Sequence, residues 1–236
     1  MKNAVVLSLV GAGLLGLSAP PMPVAAQAQP PKVALPQPGV PQVMTIEGNF
    51  VRAAYNNEGY VILGYEPVQR SLDEEWVLLE IGVTVRDNVP DFTMKRDALS
   101  LDTPDGRTVP MATTVEFRAG NTAALQNRAK VQRDSINYFP PKASRACRIG
   151  FFTELDQRAM AYDEVEISDD RACLGRVYFH LPEKIKYGQY WLNVKFPQSV
   201  LRVPFRIFTK EEEQLVNKNY KSIRQQVEDA FKPKKK

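Results

Sequence analysis

The chain has 236 residues, 44% apolar and 25% charged, an ordinary globular balance that excludes a wholly disordered or fibrous polymer and leaves room for one main domain. The formal charge of +4 points to nucleic acid only until the lysines are placed. Lys232, Lys234, Lys235 and Lys236 close the chain, and without them and Lys2 there are 26 basic residues against 27 acidic ones, so the body carries no basic groove of the kind DNA needs.

At the N-terminus Lys2 precedes an apolar stretch from Ala4 to Ala19, too short and too glycine-rich to span a bilayer comfortably, followed by Pro20, Pro21 and Pro23. Ala26-Gln27-Ala28 is the small-x-small pattern of signal-peptide cleavage, so residues 1–28 read as a signal peptide and the mature chain begins near Gln29, with cleavage after Ala26 as the competitor and an uncleaved anchor as the alternative. No cysteine near the cleavage site offers a lipid anchor, and no twin arginine precedes the apolar run. Gly11-Ala12-Gly13-Leu14-Leu15-Gly16 matches a dinucleotide fingerprint, but it lies in the leader, and the first acidic residue of the chain is Glu47. That match is discarded.

Residues 29–42 form a proline-rich linker, extended and solvated by composition. Met44 to Tyr55 reads as a first strand, Asn56-Asn57-Glu58-Gly59 as a turn and Tyr60 to Glu66 as its partner. Trp76 to Arg86 is the clearest strand: Val77, Leu79, Ile81, Val83 and Val85 fall on one face, a period of two that no helix shares. Ala98 to Asp102 and Arg107 to Phe117 flank Thr103-Pro104-Asp105-Gly106 as a hairpin, and Ala123 to Asp134 reads as a short inserted helix after Asn121-Thr122. Cys147 to Phe152 and Cys173 to Leu181 resume the strand pattern on either side of an acidic segment. Tyr190 to Phe196 and Leu201 to Ile207 close the body as a hairpin, with Pro204 marking an edge or a bulge. Residues 43–208 are therefore expected to form an antiparallel β-sandwich.

The run Trp76 to Arg86, then Leu99-Ser100-Leu101-Asp102 before Pro104-Asp105-Gly106, then Gly175-Arg176-Val177-Tyr178-Phe179 and the closing hairpin resembles the immunoglobulin-like extracellular domain of unknown function found in bacterial lipoproteins and secreted antigens. The resemblance covers roughly Phe50 to Phe208 and rests on strand pattern and one turn. It implies a secreted or surface-held sandwich without established catalytic residues. The chain departs from it in lacking a lipidation cysteine and in carrying two inserts and a long C-terminal helix.

Chemistry is sparse. His180 is the only histidine, it shares a strand face with Tyr178 opposite Val177, Phe179 and Leu181, and no Gly-x-Ser-x-Gly elbow supplies a nucleophile for it. Two cysteines and one histidine match no structural zinc spacing, and nothing implies a cofactor. Asp163, Glu164, Glu166, Asp169 and Asp170 cluster, but without calcium-loop spacing they read as a solvated loop. Cys147 and Cys173 share the lead-in Arg-Ala and each opens an apolar strand, so export to an oxidising compartment predicts a disulfide between comparable places in adjacent strands.

Thr209 to Phe231 reads as an amphipathic helix opened by the capping box Thr209-Lys210-Glu211-Glu212. Val216, Tyr220, Ile223, Val227 and Ala230 form its apolar seam, with Leu215 and Phe231 beside it. The seam is expected to fold back over a sheet face such as that of Trp191, with a short coiled coil as the alternative. Lys232 to Lys236 form a solubilising tail able to touch an anionic surface weakly. Trp191 with Lys195, on the outward face of the penultimate strand, is the one candidate platform for glycan contact, the expected alternative being a tryptophan covered by a neighbouring helix. Together these features predict a periplasmic or extracellular module without a transmembrane span after cleavage. It would be non-enzymatic and would bind or scaffold another envelope protein or a surface polymer. A weak glycan-binding module and a hydrolase of wall or polysaccharide working through two carboxylates are the alternatives, and a concave cleft holding such a pair would mark the hydrolase.

Overall fold

The computed structural model describes residues 42–132, 135–154 and 160–231. The segments read as a signal peptide and a proline-rich linker, as far as residue 41, and the lysine tail lie outside the described residues. The elements, in chain order, are β1 (Val43–Gly48), β2 (Val51–Tyr55), β3 (Gly59–Gly64), α1 (Glu66–Gln69), β4 (Trp76–Val85), β5 (Phe92–Lys95), β6 (Leu99–Asp102), β7 (Thr108–Pro110), α2 (Thr114–Ala119), α3 (Ala123–Val131), β8 (Arg145–Ile149), β9 (Glu164–Ile167), β10 (Arg171–His180), β11 (Gly188–Lys195), β12 (Val200–Ile207) and α4 (Lys210–Phe231).

The fold is mainly β. One sheet has six strands in the order β1-β2-β3-β4-β10-β8, a second has four in the order β12-β11-β6-β7, and β5 pairs with β9 as a separate ribbon. All pairs are antiparallel except β8 with β10, which run parallel. The inward residues of the strongly alternating strands meet in one apolar core, with Leu63, Val77, Leu79, Ile81, Val177 and Phe179 from the six-stranded sheet and Leu101, Tyr190, Leu192, Val203, Phe205 and Ile207 from the four-stranded one. A buried polar link joins the ends of the two sheets. Asn56, in the turn between β2 and β3, donates to the Ser199 hydroxyl at 2.8 Å, and the Glu58 carboxylate accepts the Gln198 amide at 2.9 Å.

Two segments expected to be single strands are not. Met44 to Tyr55 breaks into β1 and β2 because Asn49 and Phe50 make a tight reversal between the paired Gly48 and Val51, with a register shift between Ile46 and Gly48. Arg107 to Phe117 yields only the three residues of β7 before α2 begins, because Thr113 and Glu116 form a capping box: the Thr113 hydroxyl accepts the Glu116 amide at 3.1 Å and the Glu116 carboxylate accepts the Thr113 amide at 2.8 Å. The turn before β7 is as read, with Gly106 at φ 83°, where any side chain would be strained. The acidic segment, read as a loop, contains β9, and its carboxylates are tied down: Asp163 to Arg96, Glu166 to Arg171, Asp169 to Lys142 and Asp170 to Arg145.

The inserted helices cover the second face of the six-stranded sheet. That face carries Glu80 from β4 and Arg176 and Tyr178 from β10, and it is not the solvent-facing side that alternation implies, since Glu80 is 5% and Tyr178 0% exposed. Arg176 bridges Glu80 at 3.0 Å and Glu154 at 2.9 Å and donates to the Ala129 carbonyl of α3 at 3.2 Å, while the Tyr178 hydroxyl donates to Glu154 at 3.0 Å. Burial, reinforced by Glu154, pushes the Tyr178 phenol well above its ordinary pKa.

The helix α4 folds back, but against β1 and not over Trp191. Its capping box is formed, with the Glu212 amide 3.2 Å from the Thr209 hydroxyl and the Thr209 amide 3.1 Å from the Glu212 carboxylate. Val216, Tyr220, Ile223 and Val227 are half-buried along the seam, whereas Leu215 and Ala230 are exposed. Arg70 with Glu213 at 3.0 Å, Arg224 with Glu47 at 3.5 Å and the Asn49 amide donating to Asn217 at 3.0 Å fasten it at intervals. No described helix is long and apolar enough to cross a membrane.

Candidate functional site: a cleft beside His180

Where β4 begins and β10 ends, the inserted helices stand away from the sheet and leave a cleft of about 740 Å³. One wall is Asp73, Glu74, Glu75 and Trp76 leading into β4; the opposite wall is Glu116, Ala119, Gly120, Asn121, Ala124 and Leu125 from α2 and α3; His180 and Lys184 close the end. The lip is built from two chain segments stapled together, with the Asp73 amide donating to the Ile185 carbonyl at 3.1 Å and the Ile185 amide donating to the Glu74 carbonyl at 2.8 Å. Asp73 and Lys184 both adopt left-handed backbone conformations there, φ 62° and 67°.

His180 lies directly across from Trp76 in the β4–β10 register, so the two rings share one sheet face and stack, centroids 4.8 Å apart and planes 20° from parallel. Phe117 meets the indole edge-on at 6.5 Å. Gly120 approaches so closely that a β-carbon there would overlap the indole. The imidazole Nε2 is 3.6 Å from the Glu75 carboxylate.

The four carboxylates are not equivalent. Arg128 donates to both oxygens of Glu74 at 2.8 Å. Glu116 spends Oε2 on the backbone amide and the hydroxyl of Thr113, which hold its carboxyl below the ordinary glutamate pKa. Glu75 is half-exposed and touches only His180, and Asp73 makes no side-chain hydrogen bond among the described residues. Among the described residues, no serine, threonine or cysteine lines the cleft. Among the described residues, no three His, Cys, Asp or Glu side chains converge so as to hold a metal ion.

The residues singled out from the sequence lie elsewhere. Cys147 and Cys173 are directly opposite one another in the parallel β8–β10 pair and are joined by a disulfide. Trp191 is half-buried on the outer face of the four-stranded sheet, covered by the Arg202 guanidinium 4.9 Å above its ring and not by a helix. Arg202 is fixed in turn by Asp102 at 2.8 Å and Asn193 at 3.2 Å. Lys195 is exposed at the end of β11, and Val216, Tyr220, Ile223 and Val227 are spent on holding α4. His180 is in the cleft. The Asp73-Glu74-Glu75-Trp76 run and Glu116 escaped the sequence reading, although three acids before an aromatic strand start and the Thr-x-x-Glu box were both visible. Compared with protein-family models, with curated proteins and with solved structures, the chain matches none.

Proposed function

We propose that this chain is an exported, non-enzymatic binding module of the cell envelope, an immunoglobulin-like β-sandwich that holds its partner in the cleft between Trp76, His180 and the inserted helices. The cleft carries the reading: it is concave, its walls are mostly apolar, and two of its carboxylates are left without a hydrogen-bonded partner. Strand order supports the fold assignment. The runs β3-β4-β10-β8 and β12-β11-β6 follow the four-plus-three order of a constant-type immunoglobulin domain, with β1-β2 added at one edge and β8 departing from it by running parallel to β10. The disulfide supports an oxidising compartment.

The carboxylate hydrolase is the second reading, and the cleft with its carboxylates is what favours it. Against it, a general acid needs a raised pKa, and the fold moves Glu116 the other way. A glycan platform at Trp191 would need a free indole face, which Arg202 occupies.

The test is photo-crosslinking in the producing cell, with the photoreactive residue placed at Asn121 inside the cleft or at Lys195 on the outer sheet face. Discrete adducts from position 121 and none from 195 are expected. Adducts from 195 alone would move the interaction to the outer face, and turnover of wall polymer lost in Glu75→Gln would replace the module by the hydrolase.

A further inference from the structure

Resting on the binding-module reading, we infer that the cleft takes a cationic side chain, a lysine or arginine carried on an extended segment of a partner protein. The charge lining the cleft is strongly one-sided, with Asp73, Glu74, Glu75 and Glu116 against Lys184 and the titratable His180. Glu74 is neutralised by Arg128, but Asp73, Glu75 and the Oε1 atom of Glu116 keep their accepting capacity. The apolar part of the wall, Trp76, Ala119, Ala124 and Leu125, suits the methylene stem that lysine and arginine lay along such surfaces while the charged head meets carboxylates.

Two observations select a charge on a chain over a small cation. The carboxylates are spread along the cleft, and no three acidic, histidine or cysteine groups among the described residues converge on one point as a metal ion requires. Lys184, which closes the end of the cleft, also borders a second hollow of about 180 Å³ lined by Lys186, Tyr187 and Tyr190, so a segment longer than one residue has a further hollow to lie against beyond that end. One alternative docking edge is already taken. The free edge of β12 is occupied by the side-chain amide of Gln42, which accepts the Arg202 amide at 3.1 Å and donates to the Arg202 carbonyl, and by Pro204 beyond it.

The chain has two tryptophans, so Trp191→Phe leaves Trp76 as the sole indole reporter inside the cleft. The probes are capped pentapeptides of alanine with a central lysine, arginine, norleucine or glutamate, and a glucosamine oligomer. Saturable changes in Trp76 emission are expected with the lysine and arginine peptides. Norleucine should bind at least about tenfold more weakly, the affinity should fall with added salt, and Glu75→Gln and Asp73→Asn should each weaken it about fivefold with the melting temperature unchanged. Asparagine tolerates the left-handed backbone at position 73, so that variant keeps the lip. Equal binding of norleucine, preference for glutamate, binding of the glucosamine oligomer alone, or no binding of any peptide overturns the cationic ligand. Adducts from position 121 in the cell then decide the parent reading separately, since their presence keeps a binding cleft of other chemistry and their absence removes the cleft altogether.

Discussion

Gly120 shows how one residue shapes the cleft. It ends α2 and lets the backbone lie against the Trp76 indole, so Gly120→Ala must displace the ring or the helix end. Overpacking of this kind costs about 1 to 3 kcal/mol, and a lower denaturation midpoint with a shifted Trp76 emission is the expected result. Deeper in the same face, Arg176 compensates two buried carboxylates whose side chains are only 6% exposed. Arg176→Met removes the cation that both share and should destabilise the fold by about 3 to 5 kcal/mol by urea unfolding, whereas a loss below about 1 kcal/mol would mean that water reaches them. At this scale the sequence was legible where a residue answers to a neighbour in the chain, as with the Thr209 and Glu212 box. It was opaque where the partner is distant, since nothing local to Glu80 announces Arg176 or Glu154.

Strands with an uninterrupted period of two were readable because one face must be apolar: β4, β10, β11 and β12 fall where alternation puts them. The failures share a cause. The strand β9 is four residues long and paired only with β5, and its apolar face is just Val165 and Ile167, too short a run to stand out among the surrounding acids. The helix α2 was hidden because Val115 and Phe117 also alternate like a strand. The seam of α4 was legible, but not its resting place, because β1 has no buried residue to advertise that it needs a cover. Truncation after Phe208 should lower stability by about 3 kcal/mol, the worth of four half-buried side chains, with no change in oligomeric mass. Unchanged stability would show that the helix is not docked, and loss of a dimer would restore the coiled coil.

Across the whole molecule, the two sheets share one core, the insert adds a layer over the larger sheet, and the cleft is the gap that this layer leaves. The disulfide ties β8 to β10 across a sequence separation of 26, and in the loop-entropy account replacing both cysteines by serine costs about 3.5 kcal/mol, read as a lower melting temperature. Acid should weaken the fold as well. Asp105 is held down to about 2 by Arg107 and Thr103, and Glu116, Asp170 and Glu212 move in the same direction. A carboxyl with a folded pKa below its unfolded value stabilises the fold above the unfolded value and loses that contribution as pH falls through the folded one. The melting temperature should therefore hold from about pH 7 to 5 and decline from about 4.5 downward. The cleft itself was illegible in the sequence because its walls come from three separated stretches, near Asp73, Glu116 and His180, of which the β4–β10 pairing joins the first and last and the insert adds the second. The most direct measurement of whether this gap is the working surface is hydrogen exchange of the chain alone and bound to the envelope fraction of its producing cell. The account predicts slowed exchange in residues 73–76, 114–125 and 180–185, and protection confined to residues 189–206 or to α4 would contradict it.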